Sequence, residues 1–429
     1  MPLNNRHDPI KELTATEQAD SPHPGLSLRA FVFMMAGFMA LNGLAVDSML
    51  PALPAIGQAL GVVDPNEHQW VLTAYLLGFG IFQLFFGPLS DRFGRRKVLL
   101  SGISIYALFS ILTIFANSFD MVIAARFMQG AGSAASRVLV VAIVRDCYSG
   151  RQMARVMSLS FIVFLMVPIL APAIGQGIML FVSWHWIFLA LALFASILLV
   201  WAWFCLPETL PRDHRLPLSF ARVAVAFKVV VTTRLSIGYC IAMMLLLASL
   251  FGYLGSVQQI FADVFNTTTL FAVYFAITAI SMAVASFVNS RIVERVGTRL
   301  VSHSALCGMV IIASLGTLAA LTGYQTLASF VLLQSALMFC FGLTVPNFGA
   351  MAMEPVGHIA GTASSVQGCI TTVGAALIGF GIGQAFDGTT VPLIFSFGAL
   401  AALSLGVVLL VEGRLFKALH DESSTANGQ

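Results

Sequence analysis

The chain has 429 residues, 58% of them hydrophobic and only 10% charged, with a mean hydropathy of +0.91 and a formal net charge of +3. That balance excludes an ordinary soluble domain and a disordered chain, and no basic run supports a nucleic-acid partner. A hydrocarbon core about 30 Å thick takes about 20 apolar residues per helical crossing. Twelve such runs occur: 28–50, 68–88, 97–117, 121–144, 157–181, 184–206, 234–257, 269–290, 300–321, 325–350, 360–385 and 389–412.

Residues 1–27 are polar, and Asp8, Glu12, Glu17 and Asp20 sit among the bases, unlike the basic start of a secretory signal. The first run is therefore expected to stay as an uncleaved span. Asp47 lies in it, near the far end. The second run closes on Gly87-Pro88-Leu89-Ser90-Asp91-Arg92-Phe93-Gly94-Arg95-Arg96-Lys97, the densest polar cluster in the chain and the mark of a short loop pinned at a membrane surface. The fourth run holds Arg126 and Arg137. Eleven residues apart, they share one helix face and stand about 16 Å from each other. In the fifth run Pro168 and Pro172 each remove a backbone donor, and Gly175 follows. The eleventh run is loosened by Gly361, Gly368, Gly374, Gly379, Gly381 and Gly383. Small residues and prolines suit either a seam between two rocking bundles or tight packing without movement.

Threading twelve spans places 20 of the 22 Lys and Arg residues on one side, leaving only Arg126 and Arg137 within spans. The opposite loops carry Asp64, Glu67, Asp120, Asp263 and Asp387 and no base. By the positive-inside rule both termini are expected in the cytoplasm. The expected organisation is a tail at 1–27, a six-helix bundle at 28–206, a central cytoplasmic loop at 207–233, a second bundle at 234–412 and a tail at 413–429. A faint repeat supports two halves: Asp91-Arg92-Phe93-Gly94 returns as Glu294-Arg295-Val296-Gly297.

An ionisable group at depth costs about 3 kcal/mol or more unless it is paired or wetted, which singles out Asp47, Arg126 and Arg137. Asp47 is read as the carrier of a coupling proton, with Arg126 tuning it; the alternatives are a static ion pair that fixes helix packing and an Asp47 close enough to the outer interface to stay hydrated. Arg137 either joins them or snorkels to the interface. The six cysteines form no C-x-x-C pair and read as buried apolar side chains. His185, His303 and His358 sit singly near span ends and read as interfacial. Protease, P-loop and dinucleotide motifs are missing, so an enzyme is not expected.

The loop at 87–97 resembles the signature loop between helices two and three of the major facilitator superfamily. Arg126-Phe-Met-Gln129-Gly130-Ala-Gly132-Ser-Ala-Ala is similar to a segment of its proton-coupled drug antiporters. Val46-Asp47-Ser48-Met49-Leu50-Pro51-Ala52-Leu53-Pro54, Arg145-Asp146, Ala171-Pro172-x-x-Gly175, Pro207-Glu208-Thr209-Leu210 and Ala360-Gly361-Thr362-Ala363-Ser364-Ser365 resemble the bicyclomycin/chloramphenicol resistance subfamily over about residues 28–412. The chain departs from that subfamily at Ser48-Met49 and in having no acid near Met39 and Asn42.

The resemblance implies an all-α membrane protein with twelve transmembrane helices in two six-helix bundles. It implies a multi-pass protein of the bacterial inner membrane that exports amphipathic, drug-like molecules by alternating access, exchanging them for protons. The proton motive force replaces any cofactor, and a monomer surrounded by lipid is expected. Asp47, Arg126 and Arg137 would couple proton and substrate. Gly87, Asp91, Arg92, Gly94, Arg95, Arg96 and Arg145 would form a conformational latch, with Asp91 capping the eleventh span near Gly361 and Thr362. Pro168, Pro172 and Gly175 would serve as hinge and packing residues. A same-fold transporter of one metabolite is the nearest alternative, and a membrane enzyme or receptor a remote one.

Overall fold

Apolar runs bounded by small polar caps and glycines become helices almost end to end in the computed structural model, which describes residues 26–416. The first half comprises α1 (Leu28–Asp47), the short α2 (Leu53–Ala59), α3 (Trp70–Phe93), α4 (Arg95–Ile114), α5 (Phe119–Cys147), α6 (Gly150–Leu165), α7 (Val167–Phe181) and α8 (His185–Cys205). A further helix, α9 (Phe220–Thr232), lies in the segment expected to be a plain loop. The second half follows with α10 (Arg234–Gln259), α11 (Phe271–Val296), α12 (Thr298–Leu321), α13 (Leu327–Met353), α14 (Ala360–Gln384) and α15 (Val391–Glu412).

The starts are chemically marked. Ser27 and Ser118 accept backbone N–H groups at the heads of α1 and α5, and Thr326 and Ser329 form a reciprocal capping box at α13. Gly94 and Gly297 separate α3 from α4 and α11 from α12 with φ of 98° and 90°. A side chain is strained in that region, and the two sequence repeats therefore share one backbone solution.

Among the described residues, 11 segments are long and apolar enough to cross a membrane. One of them, Leu327–Gln384, spans 58 residues, about 87 Å of helix. It breaks at Val356, where φ and ψ leave the helical range, so α13 and α14 are separate crossings and the total is twelve. The fifth crossing is also divided, at Met166, because Pro168 at the second position of α7 cannot continue the bonding of α6. Bulky apolar side chains stand outward, Phe181 being 86%, Phe204 80% and Leu410 74% exposed. Water would penalise such a surface, and lipid does not.

Inside each half the crossings pack on their own neighbours. α3 and α4 flank α5, and α4 also meets α8; in the second half α10 meets α14 and α15, and α13 meets α11 and α12. Two pairs of long helices join the halves, α3 with α14 and α7 with α11, and exchanging the halves turns one into the other; the turns at Leu50–Ala52 and Pro65–Gln69 add contacts with α10 and α14. The second of these uses only α7, the part of the fifth crossing nearest the acidic loops. α6, the part nearest the basic loops, packs on α1 and α5. α9 rests on α14 and the Glu354–Ile359 turn through Ala226, Val230, Val356, Ala363 and Val366.

Candidate functional site

Arg126, seven residues into α5, has no exposed surface, and its surroundings explain how a guanidinium survives there. Nε donates to the carbonyl of Val71 at 3.0 Å, Nη2 to that of Ala45 at 3.0 Å, and Nη1 to Gln129 Oε1 at 2.6 Å. Gln129 in turn donates to Ser110 Oγ at 2.6 Å, and Ser110 to the carbonyl of Tyr106 at 2.7 Å. The ring of Tyr75 lies 4.5 Å from the guanidinium carbon and that of Phe188 5.9 Å, a placement that favours the cation. Tyr75 is fixed by its own bond to Asn42 Oδ1 at 2.9 Å. Five crossings (α1, α3, α4, α5 and α8) thus meet around one charge.

Asp47 closes α1 and is only 5% exposed. Arg126 bonds to α1 two residues earlier, on the backbone, so the ion pair considered from the sequence is not formed. Among the described residues Asp47 accepts no hydrogen bond and joins no ion pair. The Leu50–Ala52 turn that follows it touches α7 of the first half and α10 of the second, which puts Asp47 beside the boundary between the halves. Gly175 of α7 abuts the adjacent Ser48, and any side chain there would collide with the Ser48 carbonyl oxygen.

Arg137 lies on the same face of α5, nearer the basic end. Its side chain is exposed, and it pairs with no described residue.

The basic cluster forms a compact tie. Arg95 donates to Asp91 Oδ1 at 2.6 Å, Ser90 Oγ at 2.6 Å and Asp146 Oδ2 at 3.0 Å. Arg96 donates to the carbonyl of Trp203 and lies over its ring. Arg92 is exposed. Asp91 is taken up by Arg95 rather than by the head of α14, where a Cβ on Gly361 would stand 3.7 Å from Arg145 Nη1. Gly87 meets α14 at Ser365, a Cβ there standing 3.5 Å from its Oγ. In the second half Arg299 plays a related part, donating to Glu412 Oε1 at 2.8 Å and Glu354 Oε2 at 3.3 Å. His303 is fully buried between Tyr239 and the Phe416 N–H, near the basic end of α12.

Three groups of side chains have roles that the sequence reading did not assign. Glu208 caps α4, accepting from Arg95 N at 2.7 Å, and only a glycine at position 94 leaves it room. At the acidic end Asn66 Nδ2 donates to the carbonyls of Gln384 and Phe386, Gln384 Nε2 to that of Asn66, and Gln259 Nε2 to Asn66 Oδ1. Gln69 Nε2 joins at Gln259 Oε1, while Gln176 bonds to Thr268, Thr269 and Ala272 across the other seam. These neutral amides carry no pattern in sequence. No cluster of three or more His, Cys, Asp or Glu suited to a metal occurs among the described residues.

The sequence model of the Major Facilitator Superfamily matches residues 34–379. A bicyclomycin resistance protein homolog of Haemophilus influenzae is 29% identical over 396 residues, 90% of this chain and 97% of its own. A chloramphenicol resistance protein of Pseudomonas aeruginosa is 29% identical over 407 residues, 92% and 94%. The crystal structure of the human organic anion transporter MFSD10 superposes with a TM-score of 0.68 at 19% identity, covering 89% of this chain and all of that one, which shows the fold alone. Twelve crossings, halves that exchange by symmetry, a glycine-turned basic loop in each half and a family match over most of the length have one meaning: the chain belongs to the major facilitator superfamily.

Proposed function

We propose that this transporter exports small drug-like molecules from the bacterial cytoplasm in exchange for protons, with the basic end and both termini in the cytoplasm. The two six-helix halves, 28–206 and 234–412, rock about the α3–α14 and α7–α11 contacts. Asp47 is the proton carrier. The observation that carries this role is a carboxyl group that is 5% exposed, has no cationic partner among the described residues and lies beside the boundary between the halves. A carboxylate so placed is costly when charged and tolerable when protonated, so its protonation follows its access to water. Arg126, locked in its cradle, holds α1 and α3 on α5 and keeps a fixed positive charge near that proton. Relatives named for bicyclomycin and chloramphenicol resistance supply the substrate class.

Inverted membrane vesicles holding a proton gradient test the proposal. Adding chloramphenicol or bicyclomycin is expected to dissipate the gradient with the wild-type chain and to leave it intact with Asp47→Asn. Equal, coupled dissipation by both chains would overturn the assignment.

A further inference from the structure

We propose that the outer face of α9 is a docking surface for anionic phospholipid in the leaflet at the basic end, and that this lipid steadies a strap between the two halves. The inference goes beyond the exchange reading above and needs only a chain that spans a bilayer. α9 is amphipathic. Ala226 and Val230 on one side are buried against α14, while Val225, Phe227 and Val231, turned away from it, are 61%, 46% and 40% exposed. Water would penalise such a face, and a lipid leaflet does not. Depth follows from the contacts. α9 flanks α14 between Ala363 and Ile370, about 10 Å of helix beginning one turn inside that crossing, and reaches Leu84 of α3. A single residue, Thr233, separates it from the full crossing α10. A 13-residue helix held beside crossings at that level, and too short to span, lies where headgroups meet acyl chains.

Charge selects the lipid. Residues 209–234 carry five bases, Arg212, Arg215, Arg222, Lys228 and Arg234, against one acid, Asp213. Arg215 pairs with Glu208 at 3.9 Å, whereas Arg222 and Arg234 donate to the carbonyls of Pro217 and Leu410. Lys228, exposed on α9, joins no ion pair among the described residues. Bases that flank an apolar face at headgroup level await an anion, and phosphodiester oxygens supply it. Each such base strengthens attachment to an acidic leaflet about fivefold. A zwitterionic lipid brings its own ammonium beside the phosphate and gains far less.

The position of α9 gives that lipid something to act on. Ahead of it the chain is fastened to the first half: Glu208 accepts from Arg95 N, and Leu216 N donates to the Asp91 carbonyl at 3.0 Å. α9 itself packs on α14 of the second half and on the Glu354–Ile359 turn. Residues 207–232 therefore cross the basic end from one half to the other. A lipid that holds α9 against α14 holds the far end of that strap, and so favours the arrangement in which α3 and α14 stay together there.

The test uses the full-length protein in phosphatidylcholine nanodiscs, with the native cysteines replaced and a fluorophore on Phe227→Cys. Lipids brominated near the headgroup serve as quenchers. Brominated phosphatidylglycerol, as a minor share of the lipid, is expected to quench at least about threefold more strongly than the same share of brominated phosphatidylcholine. With Arg222→Gln and Lys228→Gln both introduced, the two lipids should quench alike. A fluorophore on Phe181→Cys, exposed at the acidic end, should not distinguish them at all. Equal quenching at position 227 in the parent, a difference of the same size at position 181, or an undiminished difference in the double variant overturns the proposal. Quenching by aqueous iodide and by neither lipid would put the face of α9 in water, open to a soluble protein, and overturns it too. Neither drug nor gradient enters this readout, so a failure of proton exchange leaves it intact, and a failure here leaves the exchange reading standing.

Discussion

A guanidinium with no exposed surface must be met by oxygens, and Arg126 is met by neutral ones, two backbone carbonyls and one amide. Lysine at this position would offer a compact ammonium that cannot reach three acceptors spread around a plane. Arg126→Lys is therefore expected to leave at least one carbonyl of Ala45 or Val71 unbonded, at about 1–3 kcal/mol. A melting temperature lowered by a few degrees and abolished drug-driven proton flux in vesicles are the expected readouts; a variant that melts and exchanges like the wild type shows the fan of contacts to be dispensable. Residue depth is legible in the sequence: an 11-residue spacing puts Arg126 and Arg137 on one face, and a charge in an apolar run announces itself. The choice of acceptor is not. Whether Arg126 takes the Asp47 carboxylate or the Ala45 carbonyl two residues earlier depends on the rotation of α1 against α5, and no local pattern encodes a rotation.

Helix ends are legible for a related reason, since capping and breaking are local. Ser118 before α5, Thr326 before α13 and Pro168 in the fifth run each mark a real boundary. α9 was hidden because its contacts with α14 lie more than a hundred residues away, and its own run of 13 residues is too short to cross a bilayer. Close approach between elements is likewise a tertiary matter, and Gly175 shows its consequence. Its Cα faces the Ser48 carbonyl and the Pro51 ring, to which an added Cβ would come within 3.1 Å. Gly175→Ala should push α7 away from α1 beside Asp47, at about 1–3 kcal/mol for the overpacking. Because α7 also carries the contact with α11, the expected result is a folded protein whose transport rate falls more than tenfold. A full rate in reconstituted vesicles would mean that the seam is looser than the distances imply.

The two ends of the molecule are held by different chemistry. At the acidic end Asn66, Gln69, Gln259 and Gln384 knit α10 and α14 to the turn before α3, and Gln176 knits α7 to the turn before α11. At the basic end α6 packs on α1 instead of α11, Gly87 and Arg145 approach α14, and Arg137 and Arg145 are exposed. Neutral amides are well chosen for a seal that must open in every cycle, because each exchanges its partner for water at a net cost of about 0.5–1.5 kcal/mol, whereas a buried ion pair would have to rehydrate two charges. Asn66 makes four of these bonds through its side chain and carbonyl, and Asn66→Ala removes the three that use the side chain. The loss, about 1–3 kcal/mol, should shift the balance about 5- to 150-fold toward the state open at the acidic end. Spin labels on cysteines placed at Glu67 and Asp387, both exposed and in opposite halves, read that balance as a distance distribution once the native cysteines are replaced. The Asn66→Ala distribution should gain a longer-distance population absent from the parent. An unchanged distribution would show that apolar contacts such as Trp70 against Phe380, 4.2 Å between ring centres, hold the seam without the amides.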